Sequence, residues 1–301
     1  MNDTSYDVII IGGSYAGLSA AMALGRSLRK VLVIDSGKPC NRQTPHSHNF
    51  ITHDGHTPSA IAAEAKAQVQ KYDTITFEAD IATDAGRTNE GFMVSTASGR
   101  SFTAKKLLLA TGLKDIMPPI GGLAECWGIS VLHCPYCHGY EVKNETIGLL
   151  ANGDMGFEFC KLLSNWSSKL TLLTNGSSTL SPEQTEKIKG RNIQLDERII
   201  ASIEHNNGVM HRVKFADGTS APFSAIFTRV PFEQHTNIPQ QLGCELTEHG
   251  HIKVDNFNKT SVPGVFAAGD NCNMFRAVSI AVGGGTMAGA VINKELIDET
   301  F

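Results

Sequence analysis

The sequence lacks long apolar stretches and extended runs of charges of one sign. No stretch approaches the ~20 consecutive apolar residues of a membrane-spanning helix. The residues before Val8 contain no basic segment of the kind that opens a secretory signal. Because the formal net charge is only −4, neither nucleic acid nor an anionic membrane is expected as a partner. We therefore expect a soluble, cytoplasmic protein.

The sequence also lacks a regular cysteine framework, since its seven cysteines are odd in number and scattered. This usage is typical of a reducing compartment. Only Cys134 and Cys137 are closely spaced, within the stretch His133–Glu141. Such a pair can be a redox dithiol, half of a zinc site or, when histidine follows, an attachment site for c-type haem. The flanking imidazoles would supply a positive charge that favours a thiolate, and a proton carrier near neutral pH.

The 301 residues, 41% of them hydrophobic, can form a sizeable core, and this length favours about two domains. The apolar run from Tyr6 to Ile11 reads as a buried parallel strand, and Gly12–Gly17 turn it into a helix. Val31 to Ile34 is the next strand. It ends in Asp35, near the ~20-residue offset at which an acidic residue accepts from a ribose hydroxyl. The pattern predicts a dinucleotide-binding βαβ unit, with Ser14 in place of the second glycine of G-x-G-x-x-G.

The region after this unit is polar and rich in turns from residue 40 to 56. We expect a loop lying over a cofactor, rather than a metal site, although the loop contains four histidines: His46, His48, His53 and His56. Residues 57–72 have helical spacing. Residues 74–102 alternate around a glycine turn, which predicts small antiparallel strands. A buried strand, 106–110, then leads to Thr111-Gly112.

A second βαβ unit is predicted after Pro118 and Pro119, which mark a domain boundary. Its strands, 146–150 and 170–173, weakly repeat those of the first unit. The second strand is followed by Thr174-Asn175-Gly176, with neither an acidic residue for a ribose nor an arginine for a 2′-phosphate. The fold is therefore well indicated, while a working and a vestigial nucleotide site both remain open.

The last third contains a buried strand within Val262–Ala268 that places Asp270 at its carboxyl end. Open α/β sheets bind ligands at that end of their strands, so Asp270 is an expected cofactor contact. A helix of small residues is predicted from Arg276 to about Leu296. Its N-terminal N–H groups would suit an anionic or electron-rich ligand edge.

These motifs together resemble the low-molecular-weight thioredoxin reductases, within the pyridine-nucleotide disulfide oxidoreductases. The resemblance spans nearly the whole chain. It rests on four features: Gly12–Gly17 with Asp35, Ala110-Thr111-Gly112, the Cys134–Cys137 pair, and Pro263–Asp270. It implies an α/β fold of two Rossmann-like three-layer domains, the second inserted into the first. The FAD domain would comprise residues 1–117 and 249–301, and residues 118–248 would form a second nucleotide-binding-like domain with the dithiol.

The resemblance further implies FAD as the cofactor and a homodimer. It places the flavin ring against Cys137, Asp270 on the ribitol, and Ala277 and Val278 near the pyrimidine ring, so that Cys134 faces the substrate. The cofactor-binding residues that it implies are Gly12, Ser14, Ala16, Gly17, Asp35, Ser36, Asn41, Arg42, Gln43, Asn49, Thr111, Gly112, Asp270, Arg276, Ala277 and Val278.

Two positions depart from the reductase pattern. His138 stands where the reductases place aspartate directly after the second cysteine. Thr174-Asn175-Gly176 stands where they place a His-Arg-Arg cluster that grips the NADPH 2′-phosphate. Both features resemble the dithiol oxidase branch, such as the enzymes that close the disulfides of gliotoxin and holomycin, in which O2 can accept the electrons. The second βαβ unit keeps NADP(H) as an alternative cofactor, and these two departures argue against it.

The resemblance implies an FAD-dependent thiol–disulfide oxidoreductase. Its partner would be a small dithiol or disulfide, or a thioredoxin-like protein, and electrons would pass through Cys134 and Cys137 while His138 shuttles the proton. The alternatives are an O2-linked dithiol oxidase, a reductase with a donor other than NADPH, and a flavin sensor without turnover. Haem attachment would require an exported apoprotein, and a zinc ribbon would require a second cysteine pair. We predict no metal site, and expect the other cysteines to be ordinary small apolar residues.

Overall fold

The computed structural model describes residues 4–301, which form two compact units. Unit 1 comprises the chain up to Arg42 together with Phe50–Lys114 and Phe232–Phe301. Unit 2 comprises Gln43–Asn49 and Asp115–Pro231. Within residues 4–301, no helix is both long enough and apolar enough to cross a membrane.

The helices and strands fall into three groups along the chain. The first part of unit 1 contains β1 (Ser5–Ile11), α1 (Tyr15–Arg26), β2 (Val31–Ile34), α2 (Pro58–Val69), β3 (Ile75–Glu78), β4 (Ala82–Thr88), β5 (Gly91–Thr96), β6 (Ser101–Leu109) and β7 (Leu113–Asp115). Next come α3 (Leu123–Cys126), β8 (Val131–Leu132), α4 (Pro135–His138), β9 (Ile147–Leu150), α5 (Gly153–Leu163), β10 (Leu170–Leu173), α6 (Pro182–Lys189), β11 (Gln194–Asp196), β12 (Ile200–Asn206), β13 (Val209–Phe215), β14 (Ser220–Pro222) and β15 (Ala225–Thr228). The last elements are β16 (Phe232–Gln234), α7 (Ile238–Gln241), β17 (Val265–Ala267) and α8 (Val278–Asp298).

The main sheet of unit 1 has parallel strands in the order β3-β2-β1-β6, and β17 pairs with the C-terminal half of β6. This is the Rossmann order, in which the strand sequence reverses between β1 and β6. The N-terminal half of β6 pairs instead with β5 in the antiparallel direction, and β5 pairs in the same way with β4. β3 was expected to be antiparallel, and that prediction is wrong. The α2 crossover returns the chain beside β2 in the parallel direction.

Unit 2 repeats this topology with parallel strands in the order β11-β10-β9-β15-β8. The repeat inferred from the sequence is therefore confirmed, as is the α/β fold with two Rossmann-like domains. One apolar cluster of the unit, which includes Phe159 and Leu163 of α5, forms around the strands. A second, which includes Val213 and Phe215, involves the small antiparallel sheet β12-β13-β14.

The compact units differ from the predicted domain limits at residues 117 and 248. The observed limits are Lys114 and Pro231. Residues 232–248 pack with unit 1 because Ile238 of α7, which is fully buried, joins the apolar cluster of its sheet. The Gln241 side chain also accepts a hydrogen bond from the backbone N–H of Ala85 on β4, at 3.2 Å.

Candidate active site

The turn after β1 is shaped by two glycines that no other residue can replace without a shift of the backbone. Gly12 has φ +106°, and a Cβ there would lie 2.2 Å from the carbonyl oxygen of Ala110. A Cβ on Gly17 would lie 1.9 Å from the carbonyl oxygen of Gly12. Strand, turn and helix therefore approach each other at backbone distance, as close packing of the turn against a dinucleotide requires.

The acidic residue at the end of β2 lies beside this turn. The backbone N–H of Gly13 donates to Asp35 Oδ1 at 3.0 Å, so the partly buried carboxylate is held next to the glycine turn. The Asn41 amide donates to the hydroxyl of Tyr15 at 3.3 Å. The side chains of Ser36 and Arg42 are exposed.

Two long helices of unit 1 begin at residues whose side chains do not cap them. The N-cap of α1 is Ser14 and that of α8 is Ala277, and neither side chain accepts a hydrogen bond from the helix. Neither first turn contains an acidic residue. The first N–H groups of a helix have no intrahelical acceptor and favour anions. The two ends thus suit phosphate and the electron-rich edge of a flavin.

The carboxyl ends of β6 and β17 bring Thr111 and Asp270 to the same edge of the sheet. Arg276 Nε lies 3.5 Å from Asp270 Oδ2, and both side chains are largely buried. Asn271 is fully buried and its amide donates to the Thr111 hydroxyl at 3.3 Å, while its Oδ1 has no hydrogen-bond partner among residues 4–301. A glycine cradle, two uncapped helices and a buried unsatisfied polar atom within unit 1 fit FAD.

The dithiol lies in unit 2 at the start of α4. Cys134 and Cys137 form a disulfide with 5.3 Å between their Cα atoms, and both residues are partly exposed. The backbone N–H of His138 donates to the carbonyl oxygen of Cys134 at 3.2 Å. Gly139 closes the turn against Trp166, because a Cβ would lie 2.8 Å from the indole nitrogen.

Four of the five other cysteines hold their thiol proton more tightly than an ordinary thiol does. Burial raises the pKa of Cys160 and of Cys272 to about 12. It also raises the pKa of Cys126 and of Cys244. The thiolate is the reactive form, so these four side chains behave as small apolar residues.

His138 is a neutral base rather than a fixed positive charge. Burial lowers its pKa and nearby His48 lowers it further, whereas Glu141 acts in the opposite direction. An imidazole whose pKa lies below its ordinary value of about 6.5 is mostly uncharged at pH 7. The prediction that His138 supplies a positive charge beside the sulfurs is therefore wrong, because desolvation disfavours the protonated form.

The predicted cofactor contacts divide between the units. Gln43 and Asn49 belong to the segment 43–49 that packs with unit 2, the unit of the dithiol. The other predicted contacts are in unit 1. Sequence reasoning noted His48 only as part of a histidine-rich loop, and did not connect it with His138. Its ring centre lies 6.4 Å from that of His138.

The corresponding turn of unit 2 is filled by its own side chains. Asn152 Oδ1 accepts hydrogen bonds from the N–H of Gly153 at 2.8 Å, and from the N–H and hydroxyl of Thr179 at 2.9 and 3.2 Å. Its Nδ2 donates to the carbonyl oxygen of Ser177 at 2.9 Å. Asp154 adds a negative charge to the first turn of α5. These hydrogen bonds were not predicted from the sequence. The polar composition of residues 174–181 was the only indication of them there.

Comparison with known proteins identifies the family to which this chain belongs. The profile of the family described as pyridine nucleotide-disulphide oxidoreductase matches residues 6–285. Thioredoxin reductase tcpT of Claviceps purpurea is 33% identical over 302 residues, which cover 97% of this chain and 94% of that protein. Thioredoxin reductase aclD of Aspergillus oryzae is 31% identical, with 98% of each chain covered.

Solved structures agree with these relatives. An oxidoreductase from Agrobacterium tumefaciens is 38% identical, with a TM-score of 0.91, covering 98% of this chain and 99% of its own. The TrxB protein of Bacillus anthracis is 30% identical, with a TM-score of 0.94, covering 98% of this chain and all of its own. The chain therefore belongs to the pyridine nucleotide-disulphide oxidoreductase family, and it is a thioredoxin reductase-like, FAD-dependent thiol–disulfide oxidoreductase.

Proposed function

We propose that Cys134 and Cys137 pass two electrons between a substrate dithiol or disulfide and FAD, with Cys134 facing the substrate. The observation that supports these roles is the Cys134–Cys137 disulfide on α4, directly before the partly buried, neutral imidazole of His138. Cys137 is assigned to the flavin by the family resemblance alone.

The exchange needs no reagent besides the substrate and the disulfide of the enzyme. A substrate thiolate attacks Cys134 Sγ, the Cys134–Cys137 bond breaks, and Cys137 leaves as a thiolate. The second substrate thiol attacks the mixed disulfide, which releases Cys134 and the oxidised substrate. The substrate loses two electrons and two protons, and the enzyme gains a dithiol. Reduction of a substrate disulfide is the reverse sequence.

His138 serves this exchange as the acid–base group. A neutral imidazole can accept the proton of an attacking thiol and return it to a leaving thiolate. Positioned proton transfer of this kind contributes roughly 10²–10⁴-fold to a rate. We therefore expect His138→Asn to slow the exchange within that range while the FAD content is unchanged.

FAD, when bound, supplies a two-electron acceptor and donor at the end of this path. Gly12–Gly17, Asp35, Thr111, Asp270 and the first turn of α8 would hold it. NADP(H) is the usual partner cofactor in this family. It fits the turn of unit 2 less well than FAD fits the turn of unit 1. In unit 2, Asn152 and Thr179 fill the turn and no arginine lies within Thr174-Asn175-Gly176.

The filled turn and His138 favour net oxidation of a dithiol, with O2 as the final acceptor and H2O2 as its product. A second candidate is an NAD(P)H-dependent disulfide reductase, which the Rossmann strand order of unit 2 favours. Anaerobic mixing distinguishes the two. We expect a dithiol, and not NADPH or NADH, to bleach the visible absorption of the flavin. Rapid bleaching by either nicotinamide would refute the oxidase direction.

The partner is proposed to be a small dithiol or disulfide, or a thioredoxin-like protein. Steady-state turnover with dithiothreitol and with a reduced thioredoxin, at matched thiol concentrations, would rank the two classes. Multiple turnovers with either would exclude a sensor without turnover. We further propose a cytoplasmic homodimer, to be tested by cell fractionation and by light scattering of the purified holoenzyme.

A further inference from the structure

The immediate surroundings of His138 contain two ionisable side chains that the exchange described above does not use. The ring centres of His48 and His138 lie 6.4 Å apart in an edge-to-face arrangement. His48 Nε2 lies 3.6 Å from Glu141 Oε1. All three residues belong to unit 2. These contacts connect Glu141, through His48, with the imidazole of His138.

The three groups form a gradient of exposure. His138 is desolvated enough to lower its pKa, the His48 side chain is 21% exposed, and the Glu141 side chain is 38% exposed. A proton on the partly buried imidazole of His138 therefore has a second imidazole as its neighbour, and that neighbour is paired with a carboxylate that reaches water. The 6.4 Å between the ring centres allows exchange through a water molecule that bridges two polar groups.

The position of His48 is built into the fold. Ser47, the preceding residue, is 6% exposed. Gly128 leaves space for the start of the segment, because a Cβ there would lie 2.9 Å from the Thr44 hydroxyl. The segment 43–49 thus packs against the body of unit 2. A fixed backbone on both sides of the pair is what a positioned proton path requires.

We propose that His48 and Glu141 form a relay that exchanges the proton of His138 with solvent during each thiol–disulfide exchange. They are positioning residues, and this inference rests on the acid–base role proposed for His138. The charged and titratable groups that face His138 are Glu141 and His48. His48 also faces the exposed ring of His46, whose centre lies 6.3 Å away.

The two members of the relay have opposite electrostatic effects on His138. His48 lowers the pKa of His138 and Glu141 raises it. Replacement of His48 by the uncharged asparagine should therefore shift the pKa of His138 upward, and Glu141→Gln should shift it downward. The sign of each shift therefore reports the charge of the side chain that was replaced, whereas a slower reduction reports the loss of proton transfer. A relay requires both effects.

The test is anaerobic reduction of the Cys134–Cys137 disulfide by dithiothreitol in the holoenzyme, measured across pH. Samples are quenched with an alkylating reagent, and their thiols are counted by mass. We expect His48→Asn and Glu141→Gln each to slow the reduction by roughly 10- to 100-fold, a part of the ~10²–10⁴-fold of acid–base catalysis. The midpoint of the pH profile should move up in the first variant and down in the second.

A second histidine–glutamate pair provides a matched control. His53 Nε2 lies 3.2 Å from Glu64 Oε2, and the His53 side chain is 22% exposed. Glu64→Gln, which breaks this pair on α2 and outside the loop of residues 40–56, should leave both the rate and the midpoint as in the wild type. The relay is refuted if His48→Asn or Glu141→Gln reduces the disulfide at the wild-type rate, or if both variants move the midpoint in the same direction.

Failure of the proposed function would be visible in a separate measurement. If the relay is correct but the function is not, the opposite shifts in thiol counting persist although no dithiol bleaches the wild-type flavin. If the function is correct but the relay is not, dithiols bleach the flavin and the profiles of the variants match that of the wild type.

Discussion

Close contact between α1 and α8 gives a sharp prediction about how unit 1 binds its cofactor. Gly285, in the middle of α8, is buried against the backbone of Ala16 at the start of α1. A Cβ on Gly285 would lie 2.1 Å from the carbonyl oxygen of Ala16, whereas ordinary contact begins at 3.4 Å. The two helices would therefore have to separate by more than an ångström in Gly285→Ala.

The expected cost follows from this overlap. Overpacking of this kind costs about 1–3 kcal/mol, and alanine recovers only about 0.5–1 kcal/mol relative to glycine inside a helix. We expect a net loss of stability of up to ~2 kcal/mol, or several degrees in Tm at about 2–4 °C per kcal/mol. The displacement would also move the uncapped start of α1, so the purified variant should contain measurably less FAD per protein.

The matched control for Gly285→Ala lies two residues earlier on the same helix. Gly283 is exposed, and a Cβ on it would meet no atom within 4 Å. Gly283→Ala should therefore raise Tm slightly and leave FAD unchanged. The assays are thermal unfolding by circular dichroism, and the ratio of flavin to protein absorbance after purification. Equal Tm and equal FAD content in the two variants would refute the proposed link between the helix contact and cofactor binding.

Three further predictions concern the sulfurs, a buried lysine and a buried histidine. Cys134→Ser should abolish exchange but retain FAD, and Cys137→Ser should remove any thiolate–flavin charge-transfer band; a retained band would reverse the two roles. Lys106 is 5% exposed and its Nζ lies 3.0 Å from Glu295 Oε2. In urea unfolding, its replacement by methionine should cost about 1–2 kcal/mol, below the ~3–5 kcal/mol of a fully buried pair, because Glu295 is partly exposed. The control Lys105→Met, which replaces the exposed neighbouring lysine, should have little effect on the free energy of unfolding. Burial lowers the pKa of His251, so the unfolded chain binds more protons and stability falls as pH drops below about 6.5. His251→Gln should flatten that slope, and an unchanged slope would contradict the assignment.

Much of the candidate site could be predicted because it depends on local rules. The turn at Gly12–Gly17 needs small residues wherever a strand meets a helix at backbone distance, and the overlap at Gly17 agrees with that need. Two cysteines with two residues between them can close a ring within one helical turn, as Cys134 and Cys137 do. The strand before Asp270 was evident from its unbroken apolar run.

The partners of these local elements could not be predicted in the same way. The family resemblance implied Gln43 and Asn49 as flavin contacts, and only the structure placed their segment with the unit of the dithiol. The direction of β3 depended on the path of α2, and β3 pairs in parallel with β2. Residues 232–248 joined unit 1 because the buried side chain of Ile238 found its apolar neighbours there.

The sequence by itself determined the chemistry: a dithiol with an adjacent histidine, and a glycine turn with an acidic residue for a dinucleotide. These features depend on residue types at short spacing, where sterics and covalent geometry leave few alternatives. Only the tertiary structure decided that His48 and Glu141 lie beside His138, and that Asn152 and Thr179 fill the turn of unit 2. Such contacts join residues far apart in the chain, and the packing of whole elements selects them, because buried polar groups must find partners wherever the fold places them.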